Sequence, residues 1–421
     1  MSGTIGSNIG RHSGSIAVTA AGLSWTTAVV TGSTVTVEAG NGYFINTTSN
    51  ACTVTLPSSA EAGDQIVLVD YARTWGTNAI TIDSNGLTFQ GEADTYTVEY
   101  TTDGQSINLI YSDSTKGWLP LEDDVAADVP IRGTQKAIFA FGYGGSNVSM
   151  SNLVNSSGVV GSDVTGVGTA RREIAAAGYG TDKAIFAYGN TGSVSSLSNL
   201  VSNSGVVASD TSGVGTARKT LPAATYGSDK AIFAYGHNGS TYVSMSNLVN
   251  SSGVIASDVT GVGTARDNLG GAEYGDGLAI FAYGWNGSSN LSMSNLVNSS
   301  GVIASDVSGV GTARRGLAAT TYGFDKAIFG YGYVSAASSL TNLVNSSGVI
   351  ASDVSGVGTA RWDLGATSYG GDKAIFAYGT TGSYVSVSNL VNSSGVVASD
   401  VTGVGTARGV YNGAAGYSTS A

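Results

Sequence analysis

The sequence predicts an all-β protein: an N-terminal β-sandwich or small barrel, then a six-bladed β-propeller closed by its C-terminal strand. Three observations lead there. A block of about 47 residues occurs six times in a row between Lys136 and Arg408. Glycine is abundant (62) and proline scarce (4). No 3.6-residue apolar stripe persists, which disfavours long helices. The third observation is that the two ends of the repeat array complement each other. The first copy reads VPIRGTQK, without the Ala-rich segment that opens the other five. After Arg408 the chain adds GVYNGAAGYSTSA, a surplus segment of that kind. Closing a ring by this exchange hides two sheet edges that would otherwise invite aggregation.

In chain order, residues 1–32 are small and polar and read as an arm that is extended or ordered by a partner. Residues 33–121 change to short strands such as TVTVEAG, GYFINTT, CTVTLP, QIVLVDY, AITIDS, LTFQG, YTVEYTT and SINLIYSD, separated by Gly, Asn, Asp and Ser. They make the compact all-β module. Residues 122–132 are acidic and patternless and read as a linker, and 133–421 form the propeller.

Each repeat offers four candidate strands. Strand a is Ala-rich (Ile174–Tyr179), and strand b is KAIFAYG, apolar on both faces. Strand c is SMSNLVN, which alternates, and strand d is GVVASDVTGVG. A strand apolar on both faces must be covered on both, as when one blade packs between two others. Small residues in strand a suit the crowded centre where blades converge. A β-solenoid competes, but its coils are usually shorter, and it gives no reason for the matched ends.

The order Arg, strand a, turn, strand b ending in aromatic-Gly, strand c, strand d, Arg is similar to kelch-type propeller repeats from Arg132 to Ala421. Tyr188–Gly189 stands where that family has Gly-Gly, and the family's strand-d tryptophan is missing. The first 120 residues resemble virion modules of bacteriophages, in particular fibre and appendage proteins of marine phages. The segments that carry this are SGTIGSNIGR, GYFINTTSNACTVTLPSSAEAGDQIVLVDYARTWGTNAITI and TTDGQSINLIYSDSTKGWLPL. The resemblance implies a virion location, with residues 1–121 contacting other virion proteins and the distal part meeting the host. Trimers are common among phage fibres, so a homo-oligomer is compatible with it, although the chain carries no heptad or other oligomer signal.

The formal charge of −11 and the lack of a basic cluster argue against a nucleic-acid partner. No apolar run reaches the roughly 18 residues of a membrane span. The N-terminus lacks the apolar core of a secretory signal, so synthesis in the host cytoplasm is expected. Cys52, the single cysteine, alternates with Val54 and Leu56 and reads as a buried thiol. His12 and His237 have no recognisable partner motif. With so few His and Cys, neither a zinc site nor any cofactor is expected.

Asp163, Asp210, Asp258, Asp306, Asp353 and Asp400 each stand alone in SDVTG or a close variant. They are read as bonding turn backbone or meeting a repeat arginine rather than calcium. The repeat arginines Arg171, Arg218, Arg266, Arg314, Arg361 and Arg408 are read as packing and ion-pair elements. NSS copies such as Asn155 and Asn250 match the glycosylation sequon but read as c–d turns.

The informative signal is where the copies differ. In four-stranded antiparallel blades the d–a and b–c loops open on one face and the a–b and c–d turns on the other. The a–b and c–d turns, YGxD and NSSG, barely vary, whereas the d–a and b–c loops are diverse. Tyr143, Arg172, Lys219, His237, Tyr242, Trp285, Arg315, Tyr333, Trp362 and Tyr384 lie in those loops and are the candidate ligand-binding residues. Aromatics mixed with Arg, Asn and Ser suit recognition of a host surface glycan or protein, through stacking plus directional hydrogen bonds. The expectation is a non-enzymatic phage tail fibre or appendage protein. One alternative is a decoration or assembly protein that contacts only virion proteins. A second is a surface-glycan hydrolase, although no carboxylate pair stands out.

Overall fold

A computed structural model describes residues 23–93, 98–121, 134–411 and 413–420. The protein is all-β, with eight sheets and no helix among the described residues. It divides into two compact units, 1–130 and 131–421.

The first unit holds β1 (Ser24–Trp25), β2 (Thr34–Thr36), β3 (Asn41–Ile45), β4 (Cys52–Thr55), β5 (Gln65–Asp70), β6 (Ile80–Asp83), β7 (Val98–Tyr100), β8 (Ser106–Tyr111) and β9 (Trp118–Pro120). Its two sheets have the orders β1-β3-β5-β8-β9 and β2-β4-β6-β7. The chain alternates between them up to β6. Neighbours within a sheet are therefore parallel there, and the later pairs are antiparallel. Period-2 patterning turns Cys52 and Val54, Ile66 and Leu68, and Ile107 and Leu109 into one core shared with Trp75 and Trp118. Two sheets over one core agree with the sandwich alternative. Neither sheet closes on itself among the described residues, so the small barrel is not found.

Two local expectations are corrected. LTFQG is not a strand, because Gln90 (φ 53°) and Gly91 (φ 93°) turn the chain there, leaving Phe89 only isolated bridges. Part of the expected 1–32 arm runs along a sheet: β1 pairs with Asn41 and Gly42, and Val30 bridges Ile45. Residues 1–22 of that arm, with His12, and the expected 122–132 linker lie outside the described residues.

The second unit consists of six three-stranded antiparallel sheets in the order a-b-c. The second repeat is typical, with a at Ala175–Tyr179, b at Lys183–Ala187 and c at Ser198–Val201. Strand b is buried on both faces, as KAIFA implies. Among the described residues the first repeat has no preceding a strand. Its b (Lys136–Tyr143) pairs instead with the C-terminal Ala414–Tyr417, from Lys136↔Tyr417 to Phe139↔Ala414. Each a strand contacts the a strand of the next repeat. Ala414–Tyr417 touches both Gly365–Tyr369 and Ala175–Tyr179, so the succession returns to its start.

The expected strand d is reduced to two isolated bridges per repeat, Val201↔Val207 and Ser198↔Thr211 in the second. The reason is a side chain. Asn199 Nδ2 donates to Ala208 O and to Asp210 Oδ1, both at 2.9 Å, occupying acceptors between the two bridges.

Adjacent repeats are joined by the repeated Arg and Asp. All six arginines are fully buried. Arg266 donates to Tyr283 O (2.9 Å), Thr264 O (2.9 Å) and Asn295 Oδ1 (2.8 Å), with its guanidinium 4.5 Å from the Tyr235 ring centroid. Asp306 accepts from the Thr264 backbone and hydroxyl in the preceding repeat and lies 4.0 Å from Arg266. Partial burial works against its charge, yet the bonds from Thr264 and Asn295 hold Asp306 below the usual carboxylate range. The aspartates thus bond a loop backbone, and Asn155 Oδ1 accepts from the Ser157 and Val159 amides as a turn residue does.

Candidate ligand-binding face

Strand register puts the variable loops together. The residue after each repeat arginine bridges the first residue of a b–c loop: Arg172 with Asn190, Lys219 with His237, Asp267 with Trp285, Arg315 with Tyr333, Trp362 with Thr380, and Gly409 with Tyr143. A glycine makes this approach feasible. Gly189 has φ 105°, and a Cβ there would fall 2.7 Å from Arg172 O. The uniform turns sit at the other ends of the strands, where Asn203 of a c–d turn donates to Asp182 of an a–b turn at 3.1 Å.

Nine of the ten candidate residues are half-buried, and Tyr384 is 37% exposed. They gather into three groups. In the first, Arg172 lies over the Tyr143 ring at 4.6 Å, and Tyr143 packs edge-on to Tyr384 at 5.8 Å. In the second, His237 packs edge-on to Tyr242 at 4.9 Å, with Lys219 bridging His237 through the backbone. In the third, Arg315 lies 4.4 Å from the Trp285 ring and 5.5 Å from Tyr333, and Tyr333 packs edge-on to Trp362 at 5.2 Å. The first two groups are joined through Glu173, which pairs with Arg172 (3.5 Å) and Lys219 (3.2 Å).

Glu173 belongs to a set that the candidate ligand-binding residues do not include. Glu173, Thr220, Asn268, Gly316, Asp363 and Tyr411 all have positive φ, between 51° and 61°. Thr220 N donates to Glu173 O, Asn268 N to Thr220 O, Gly316 N to Asn268 O, Asp363 N to Gly316 O and Tyr411 N to Asp363 O, at 2.8–3.0 Å. These bonds link one repeat to the next beside a small pocket lined by Thr220, Asn268, Asp363 and Tyr411. The signal available in sequence was Asn, Gly and Asp at one repeat position, types that tolerate the left-handed region.

Burial raises Asp363 to about 7, helped by Glu173 and opposed by Arg315, with Asp267 adding to the rise. Burial also raises Asp267, although Asn268 and Thr220 donate to it at 2.9 Å. Among the described residues no group of three or more His, Cys, Asp and Glu could hold a metal ion.

The other unit connects the chain to known proteins. Residues 12–116 match the YomU/Tube protein family. The match suggests a phage protein. No curated protein matches the chain. The YomU/Tube span ends before the repeats, so it bears on the first unit and is silent on the variable loops. Within that span Cys52 is buried in β4, and desolvation raises its thiol pKa, the state of an inert core cysteine.

Proposed function

We propose that the protein is a structural component of a phage tail fibre or appendage, carried in the virion. Residues 1–121 anchor it to other virion proteins. Unit 131–421 is a six-bladed, kelch-like propeller closed by Ala414–Tyr417, and its variable face binds a host surface glycan or protein without chemistry of its own. The phage reading is supported by the YomU/Tube match over residues 12–116. The propeller reading is supported by the return of the a strands to their start and by the pairing of the C-terminal strand with the first repeat.

The observation that carries the binding role is one-sidedness. The five a–b turns and six c–d turns stay nearly constant, and the copies change the loops that meet at the other end of the strands. Aromatic rings and cations there are held against each other at 4.4–5.8 Å, which lowers the ordering cost of binding.

Locating the chain in the intact particle by cryo-EM tests the assignment. An outward-facing position on a fibre is expected. A position enclosed by other virion proteins would replace it with a decoration or assembly role. Trp285→Ala with Trp362→Ala is expected to reduce adsorption to host cells at least tenfold, and unchanged adsorption would remove the binding role. Purified protein is expected to leave host polysaccharide intact; release of oligosaccharides would make it a hydrolase instead.

A further inference from the structure

The three cations of the variable face differ in what holds them. Arg172 and Lys219 share the Glu173 carboxylate. Arg315 is followed by Gly316, which brings no carboxylate, and among the described residues its guanidinium makes no hydrogen bond or ion pair. Its contacts are the Trp285 and Tyr333 rings, whose centroids lie 4.4 and 5.5 Å from the guanidinium carbon, and its N–H groups have no partner among the described residues. The Asn290 amide donates to Val334 O at 2.9 Å, tying the two loops that carry those rings. The acid that acts on Arg315 is Asp363, whose pKa of about 7 leaves it partly protonated near neutrality, so the charge on Arg315 is not fully offset.

A guanidinium with free N–H edges between aromatic rings matches one ligand chemistry well. A carboxylate accepts two parallel N–H bonds from it, and the apolar face of a sugar ring stacks on an indole. The chain as a whole carries −11, but repulsion from distant charges is screened beyond roughly 8 Å at physiological salt, leaving the local cation to decide. We propose that Trp285, Arg315, Tyr333 and Trp362 form a subsite for an acidic sugar, Arg315 taking the carboxylate and the indoles taking the pyranose face. This rests on the host-binding reading and specifies its ligand.

The test titrates the full chain, by tryptophan fluorescence and equilibrium dialysis, with oligogalacturonate and oligosialate, each beside its carboxyl-reduced counterpart. At least one acidic form is expected to bind tenfold or more tighter than its reduced partner. Arg315→Gln should erase that preference, Arg315→Lys should keep part of it, and Lys183→Gln, at the opposite end of the strands, should leave it in place. Each variant's melting temperature is checked against the parent. Equal affinity for both forms, a preference surviving Arg315→Gln, or no binding of either acid would overturn the subsite.

Adsorption to host cells separates this from the broader reading. If Trp285→Ala and Trp362→Ala abolish adsorption while acidic sugars go unrecognised, or if protease treatment of the host alone abolishes it, the acidic-sugar subsite falls and the receptor role stands. If no variant changes adsorption, both fall.

Discussion

Tyr188 has φ 65°, and Phe141, Tyr235, Tyr283, Tyr331 and Tyr378 repeat that geometry at 61–67°. For a bulky side chain this costs about 1–3 kcal/mol, yet no copy has glycine there. Each ring gains two contacts that glycine could not make. Tyr188 lies under the buried Arg218 guanidinium at 4.6 Å and edge-on to Phe233 at 5.4 Å. A desolvated cation–π contact is worth roughly 2 kcal/mol and an aromatic pair about 0.5–1.5 kcal/mol, enough to offset the strain. Asp363 yields a sharper prediction. Its folded pKa of about 7 lies above the unfolded value, so its proton stabilises the fold at acidic pH, and that contribution is lost as pH rises through 7. Asp363→Asn should therefore raise the melting temperature at about pH 8 and do so much less at about pH 5. An equal gain at both would assign the effect to something other than ionisation. The repeat aspartates run the opposite way. Held below their usual range, they contribute above about pH 4 and lose that contribution on acidification.

The pairing that joins the C-terminus to the first repeat is made by the short strand Ala414–Tyr417. It covers one edge of Lys136–Tyr143 and buries Ala414, Ala415 and Tyr417. Deleting residues 413–421 is expected to destabilise the unit by at least about 3 kcal/mol and to make it aggregate on heating, because an unpaired edge is exposed. An unchanged melting temperature would mean that the array does not depend on this pairing. Strand b was legible because KAIFA is apolar on both faces, and the surplus AAGY at the C-terminus because it copies strand a. Strand d was not, because its loss comes from Asn199 and its copies reaching across from strand c, and a side chain that competes with a ladder leaves no mark on periodicity. In the first unit, alternation in CTVT and QIVLVD told which side faces the core. It could not say that successive strands go to different sheets, since pairing partners are set by chain path. The variable loops were readable as a set. That Glu173 pairs with two cations while Arg315 stays unclaimed was not, because it depends on contacts between repeats about 47 residues apart.

The two units have separate cores. The cluster around Trp75 and Trp118 contains only residues of the first unit, and the six clusters of the repeats contain none of it. Residues 131–421 made alone are therefore expected to keep their sheet circular dichroism and a cooperative melt close to that of the full chain. Loss of the melt would show that the first unit supports the second. The path between the units also has a mechanical side. The chain enters the repeat unit by Lys136–Tyr143, which is the middle strand of its sheet, flanked by Asn147–Val154 and Ala414–Tyr417, and Gln135 N donates to Ser418 O at 2.7 Å just outside it. Tension arriving along the backbone at Thr134 thus pulls lengthwise on a strand gripped from both sides. The ladders on both flanks must shear together, whereas an edge strand would peel one bond at a time. A load entering there along the strand is shared by two ladders rather than one.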